Sequence, residues 1–300
     1  MKSFFSHLLK YFFISSGFVI SKLPTSIYSF FARLLGSLFY YLWGSRRSEA
    51  EHNLRLAFPD KSFHEIRHLA KASFCNLAIT FFELFSMPYY SVIKLKRKIV
   101  YENLSLVSEV YSRGRGIIFL SGHFGNWELL AYSVGIFTNL PVTIIVKPQR
   151  NTYIDSVINY FRTSAGNRIV SMYSAARTIV STLSSGGVIA MLADQAATQD
   201  KDFFVDFFSR PASTHKAVAN IALRFNTPII MGFSVRQSDG SYKVKLEELD
   251  HSDLANNYKD SFVLTQRHVK KLEETIRAHP DHWSWMHRRW KHTPPSSHSS

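Results

Sequence analysis

Two apolar runs open the chain: residues 3–21 read SFFSHLLKYFFISSGFVIS and residues 24–44 read PTSIYSFFARLLGSLFYYLWG, each broken by one cation, Lys10 or Arg33. A helix needs about 20 apolar residues to cross roughly 30 Å of hydrocarbon. The uncharged run Tyr11–Ser21 is too short, and residues 3–21 reach that length only if Lys10 snorkels to the interface. The pattern predicts a membrane anchor over residues 1–45, as one marginal span or as two interfacial helices rich in Phe, Tyr and Trp. The alternative is an amphipathic hairpin packed on the rest of the protein. A secretory signal fits less well, because a compact basic start and a small-residue cleavage site are missing and a second apolar run follows. Arg46, Arg47 and Arg55 come next and suit a cytoplasmic flank facing anionic lipid.

Beyond residue 48 the period changes. Leu54, Phe58, Ile66, Leu69, Ala70, Phe74 and Leu77 recur at helical spacing, with Pro59 and Asp60 as an interruption and Pro88 as a stop. Short apolar runs bounded by turn residues then predict buried strands at 117–121, 141–146, 168–171, 188–193 and 228–235. Between them lie helical patterns at 127–136, 154–165, 175–184 and 213–225, with a last helix at 258–278. Asp239-Gly240 predicts a hairpin into YKVKLEEL. This alternation implies an α/β fold, a mostly parallel central sheet flanked by helices, with the hairpin at one edge. The main folded domain is expected over 46–292, and the PPSSHSS tail, in 293–300, is expected to be disordered.

Composition narrows the options. At 46% hydrophobic residues a core is assured and wholesale disorder is excluded. The lone cysteine, Cys75, excludes an intramolecular disulfide framework and any multi-cysteine metal site. The chain has 36 Lys and Arg against 22 Asp and Glu, a formal charge of +14, which calls for an anionic partner: nucleic acid, an acidic leaflet, a phosphorylated substrate or an acidic protein.

The residues that suggest chemistry are Gly122-His123-Phe124-Gly125-Asn126-Trp127-Glu128, directly after a predicted strand. On one continuous helix His123 and Glu128 would diverge by about 140°. They can meet only if His123 lies in the loop and Glu128 in the first helical turn. Glu128 would then hold one imidazole nitrogen and leave the other to take a proton from a substrate hydroxyl, with helix-start N–H groups facing an oxyanion. The plainer reading is that Glu128 favours a helix start and His123 caps a strand. Asp194 also ends a predicted strand, so it too should face the crevice beyond the strand ends, either as a loop cap or as the partner that positions Arg162. The spacing is not that of a zinc motif, and serine-elbow and phosphate-loop signatures are missing, so direct attack by an activated acceptor is favoured.

HFGNWELL after an apolar strand resembles the His-x4-acid motif of the glycerolipid acyltransferase superfamily. More closely, the chain resembles the lipid A late acyltransferases of lauroyl and myristoyl type. NLRLAFPDKS (53–62), KPQRNTYID through Arg162, ADQ through Arg224 and WSWMHRRWK (283–291) carry the likeness in order along nearly the whole chain. Lys147 departs from the pattern, since the family usually has Arg there.

The resemblance implies transfer of a fatty acyl group from acyl-acyl carrier protein to a hydroxyl of a phosphorylated, Kdo-lipid A type glycolipid. It implies His123 as general base with Glu128 as its partner and no metal or nucleotide cofactor. It places the activity on the cytoplasmic face of a bacterial inner membrane. It marks Lys147, Asn151, Arg162, Asp194, Arg288 and Arg289 as substrate-binding candidates, with no nucleic acid as partner. Asn151 also suits a helix cap, and Arg288 and Arg289 among tryptophans suit an interfacial belt or a structural cap. Two alternatives remain: acylation of another glycolipid or a lysophospholipid, from acyl carrier protein or acyl-CoA, and a non-enzymatic basic protein binding anionic lipid or nucleic acid.

Overall fold

The computed structural model describes residues 2–197 and 202–292, with side chains described from residue 11 onward. Lys10 and the tail 293–300 therefore lie outside the described side chains. The first four helices are α1 (Lys2–Lys22), α2 (Thr25–Leu42), α3 (Gly44–Ala57) and α4 (Phe63–Ser86). They are followed by α5 (Val92–Lys98), β1 (Ile99–Tyr101), α6 (Ser105–Tyr111), β2 (Ile117–Ser121), α7 (Trp127–Thr138), β3 (Val142–Val146) and α8 (Thr152–Thr163). The remainder is β4 (Arg168–Ser171), α9 (Ala175–Ser184), β5 (Val188–Leu192), β6 (Phe203–Asp206), β7 (Pro211–Thr214), α10 (Ala217–Phe225), β8 (Ile229–Arg236), β9 (Tyr242–Leu249) and α11 (Tyr258–Ala278).

Seven strands form one sheet in the order β1-β9-β8-β2-β5-β3-β4. β8, β2, β5, β3 and β4 run parallel, and the hairpin strand β9 turns back antiparallel to β8. The sheet bears out the expected α/β architecture. The hairpin is not its edge, however, because β1 pairs with β9 through Ile99↔Tyr242. Alternate residues of β2 feed two cores. Ile118 and Leu120 pack with α10, α11 and the carboxyl-terminal tryptophans, while Ile117 packs with α5 to α8. Strands buried on both faces read as continuous apolar runs, which is why they were legible.

One predicted helix is corrected. Residues 211–214 form β7, paired antiparallel with β6 through Phe204↔Ser213 and Val205↔Ala212, and the helix begins only at Ala217. Helical spacing of small residues continued the pattern backwards, but the burial of Ser213 and Thr214 against β6 decides the local structure.

α4 is the central helix. Ser62 and Glu65 close a reciprocal capping box at its start. By length and hydropathy it belongs to the one segment among the described residues, Phe63–Tyr89, that is long and apolar enough to cross a membrane; 61% of its window is buried, as in a core helix. Both α1 and α2 lie along it. α2 buries one stripe, Tyr28, Ala32, Gly36 and Tyr40, and leaves the rest of its apolar surface outside. Gly36 permits the close crossing: a Cβ there would stand 2.6 Å from Cys75 Cα.

Candidate active site

β2 and β5 are adjacent and parallel, so the segments leaving their carboxyl ends emerge side by side. His123 follows β2 and Asp194 follows β5. Asp194 is 2% exposed and binds His123 twice. The backbone N–H of His123 donates to Oδ2 at 2.7 Å, and the ring Nδ1 lies 2.8 Å from Oδ1. The indole Nε1 of Trp283 also donates to Oδ2, at 2.8 Å. The ring of His123 is thereby fixed on one side while its side chain remains 26% exposed on the other.

The carboxylate on His123 is thus Asp194, and the expected His123–Glu128 hydrogen bond is corrected. Glu128 accepts from Arg162 Nε at 2.8 Å, from Arg162 Nη2, and from Trp127 Nε1 at 3.0 Å. The expected partners are exchanged: Asp194 holds the histidine and Glu128 holds Arg162. A neighbouring strand end reaches both N–H groups of His123 directly, whereas the first turn of α7 carries Glu128 to α8, where a guanidinium fork meets both its oxygens. Glu128 remains an electrostatic neighbour of His123.

Charge follows this geometry. Burial disfavours the imidazolium of His123, but Asp194, and then Glu128, outweigh it and raise the pKa above its ordinary value. Burial likewise opposes the carboxylate of Asp194, yet His123 and Trp283 hold it down to about 2. Glu128 is buried and still held below the usual carboxylate range by Arg162. Both acids stay ionised around a histidine that gains basicity.

The carboxyl-terminal block forms the back wall. Phe124 bridges to Trp283, Ser284 N donates to the His123 carbonyl at 3.0 Å, and Gly125 N donates to the His282 carbonyl at 2.9 Å. Phe124 stacks on His282 at 5.4 Å and meets Phe233 edge-on at 5.7 Å. Gly125 has φ 57°, and a Cβ there would fall 1.8 Å from the Ser234 carbonyl oxygen, so both conformation and space demand glycine. Asn126 caps α7 by accepting from Leu129 N at 2.8 Å and donates its own amide to Glu83 at 2.6 Å.

Glu83 is fully buried and satisfied by an unusual set of partners. Tyr28 on α2, Lys98 on α5, and Arg236 and Tyr242 on β8 and β9 all converge on it together with Asn126. Burial works against its charge, but Arg236 and Lys98 prevail and keep it well below the usual carboxylate range.

The remaining candidates divide. Lys147 is exposed at the end of β3. Asn151 caps α8, accepting from Tyr153 N at 3.0 Å and Ile154 N at 3.2 Å. Arg288 is exposed and pairs with Glu49 at 3.1 Å. Arg289 is 0% exposed, donates to the Ser213 carbonyl and Thr214 Oγ1, and lies over the Phe207 ring at 5.0 Å. These contacts tie it to β7. Sequence reasoning missed Trp283, Gln195 and His287 around the pair; the DQ dipeptide at a strand end and the tryptophan block were the available signals. Gln195 Nε2 lies 3.5 Å from His123 Nε2, and His287 Nε2 accepts from Ala196 N at 3.2 Å. A groove of about 430 Å³ lined by Phe233, Lys243 and Lys271 is separate, since neither His123 nor Asp194 lines it.

Comparison with known proteins gives a consistent picture. The family model for bacterial lipid A biosynthesis acyltransferase matches residues 2–292. A lipid A biosynthesis palmitoleoyltransferase of Escherichia coli (strain K12) is 22% identical over 284 residues, 91% of this chain and 88% of its own. The lauroyltransferase of lipid A biosynthesis from that organism is 21% identical over 250 residues, 83% and 80% of the two chains. Lipid A biosynthesis acyltransferase 2 of Shigella flexneri is 22% identical over 240 residues, 80% and 76%.

Proposed function

Because the chain belongs to the bacterial lipid A biosynthesis acyltransferase family, we propose that it moves a fatty acyl chain from acyl-acyl carrier protein to a hydroxyl of a phosphorylated lipid A precursor, working at the cytoplasmic face of a bacterial inner membrane. The observation that carries this reading is the double grip of Asp194 on the ring and backbone of His123. With Nδ1–H donated to Asp194, Nε2 carries the lone pair and is the basic nitrogen. His123 Nε2 takes the proton of the acceptor hydroxyl, the oxygen attacks the thioester carbonyl, and the departing thiolate recovers that proton. Asp194 fixes the tautomer and, with Glu128, stabilises the transient imidazolium. Glu128 is a positioning residue that keeps the Arg162 guanidinium beside the site, where it suits a phosphate or a developing negative charge.

Membrane association is supported by the outer face of the first two helices. Phe12, Phe18, Phe30, Phe31, Leu34, Leu38, Leu42 and Trp43 are all at least half exposed. So much exposed large apolar surface on two neighbouring helices fits a lipid interior far better than water. Cations sit on aromatic rings at its borders, Lys22 over Phe18 and Arg46 over Trp43, as suits headgroup depth. The net charge of +14 favours both an acidic carrier protein and a phosphorylated glycolipid.

The test incubates membranes carrying the protein with acyl carrier proteins of several chain lengths and a tetra-acylated, phosphorylated glycolipid. Acyl transfer that disappears in His123→Ala is the expected result. Transfer that proceeds only from acyl-CoA, or only to a lysophospholipid, would overturn the donor or acceptor, and full activity in His123→Ala would overturn the mechanism.

A further inference from the structure

Attack on a thioester places negative charge on the carbonyl oxygen, and a site without a donor at that oxygen forfeits much of its rate. Backbone N–H groups of the loop after β2 are the obvious donors, yet four in succession are already committed. His123 N serves Asp194, Phe124 N the Gly122 carbonyl, Gly125 N the His282 carbonyl and Asn126 N the Ser234 hydroxyl. The indole Nε1 of Trp127 is held by Glu128, and the N–H of Ala196 by His287.

We propose that the side-chain amide of Gln195 donates to the carbonyl oxygen in the transition state of acyl transfer, an inference that rests on His123 acting as the base. The amide nitrogen is 3.5 Å from His123 Nε2. Its orientation follows from the tautomer: Nδ1 gives its hydrogen to Asp194, so Nε2 accepts, and only the NH2 side of the carboxamide can face it. The backbone of Gln195 is fixed on both sides, by Asp194 before it and by the Ala196–His287 bond after it. An acceptor hydroxyl bonded to Nε2 must therefore lie against this amide, and so must the carbonyl that it attacks.

The step balances without a further reactant. The hydroxyl O–H bond breaks and its proton passes to Nε2 as the new C–O bond forms. The carbonyl π pair moves onto oxygen, where Gln195 donates an N–H. On collapse the C–S bond breaks, the pair returns to form the ester carbonyl, and the thiolate takes the proton from the imidazolium.

Gln195→Ala and the isosteric Gln195→Glu test this in the acyl-transfer assay, beside His123→Ala. The expected result for Gln195→Ala is a kcat lower by about 10²–10³-fold, with donor KM changed by less than about threefold. The acid limb of its pH profile should not move, because the His123–Asp194 pair is untouched. Gln195→Glu keeps the shape but has no N–H to offer, so it should lose kcat comparably and shift the acid limb upward, its carboxylate facing Nε2. A kcat for both variants within about threefold of the parent would overturn the proposal and assign the oxyanion to the first N–H groups of α7. A loss confined to KM would overturn it in favour of a binding contact, and an acid limb displaced in Gln195→Ala would overturn it in favour of ring positioning. Full activity in His123→Ala would instead remove the base, and Gln195's role with it.

Discussion

Replacing Asp194 with asparagine separates the two candidate partners of His123. Oδ2 of Asp194 accepts from two N–H groups, the His123 backbone at 2.7 Å and the Trp283 indole at 2.8 Å. Neither donor can turn away, so an asparagine must keep its oxygen there and present its NH2 to His123 Nδ1. That nitrogen then has to accept, which moves the ring hydrogen to Nε2 and leaves no lone pair toward the substrate. A wrong tautomer held by an otherwise intact site lowers kcat by about 10⁴-fold, or about 5 kcal/mol of barrier. The pH profile supplies a second reading. In the parent His123 titrates above its ordinary value, and activity should rise as pH climbs through that raised pKa. Without the Asp194 charge, burial dominates and the acid limb of the residual activity should move down. Single-turnover acyl transfer from acyl carrier protein, measured across pH, reports both. Glu128→Gln should leave the tautomer intact and shift the limb less. Turnover in Asp194→Asn within tenfold of the parent, with an unmoved limb, would refute the assignment of Asp194 as the histidine's partner.

Glu83→Gln strands the buried cations Lys98 and Arg236, at a cost of about 3–5 kcal/mol. At about 2 °C per kcal/mol for a chain of this size, a thermal melt should show a midpoint lower by about 6–10 °C; an unchanged midpoint would show that the cations find other partners. Gly125→Ala sets a Cβ against the Ser234 carbonyl at positive φ and should abolish activity in the acyl-transfer assay, with no measurable rescue by substrate concentration. Replacing Phe30, Leu34 and Leu38 together by serine should release the protein from anionic vesicles in a flotation assay, because these side chains are at least half exposed and support no core. Retained flotation would place the lipid contact elsewhere.

The alternation of strands and helices was legible because parallel strands buried on both faces leave uninterrupted apolar runs between turn residues. The last helix was equally plain, with Asn257 capping it and His279-Pro280 closing it. Two strands were hidden by physics that spacing does not encode. β1 is three residues long and exists only because β9 supplies its ladder from far along the chain. β7 carries small residues that suit a helix and becomes a strand only by pairing with β6. The exchange of partners at the site is the same lesson in side chains. That His123 and Asp194 both end strands could be read, but not that those strands are neighbours. Proximity in sequence favoured Glu128, while a shared strand order brought Asp194 to the ring and left Glu128 to the guanidinium of α8.

The apolar front end cannot be trimmed without cost to the site. Tyr28, on the second helix, donates to the same buried carboxylate that receives the amide of Asn126 at the head of the site helix. A chain begun at Gly44 would lose that phenol, lay bare Ala78 and Ile79, and loosen the mooring of the loop that carries His123. Any redesign of the outward side of that helix would have to spare the inward column of Tyr28, Ala32, Gly36 and Tyr40, so that the apolar front end is also a girder of the site.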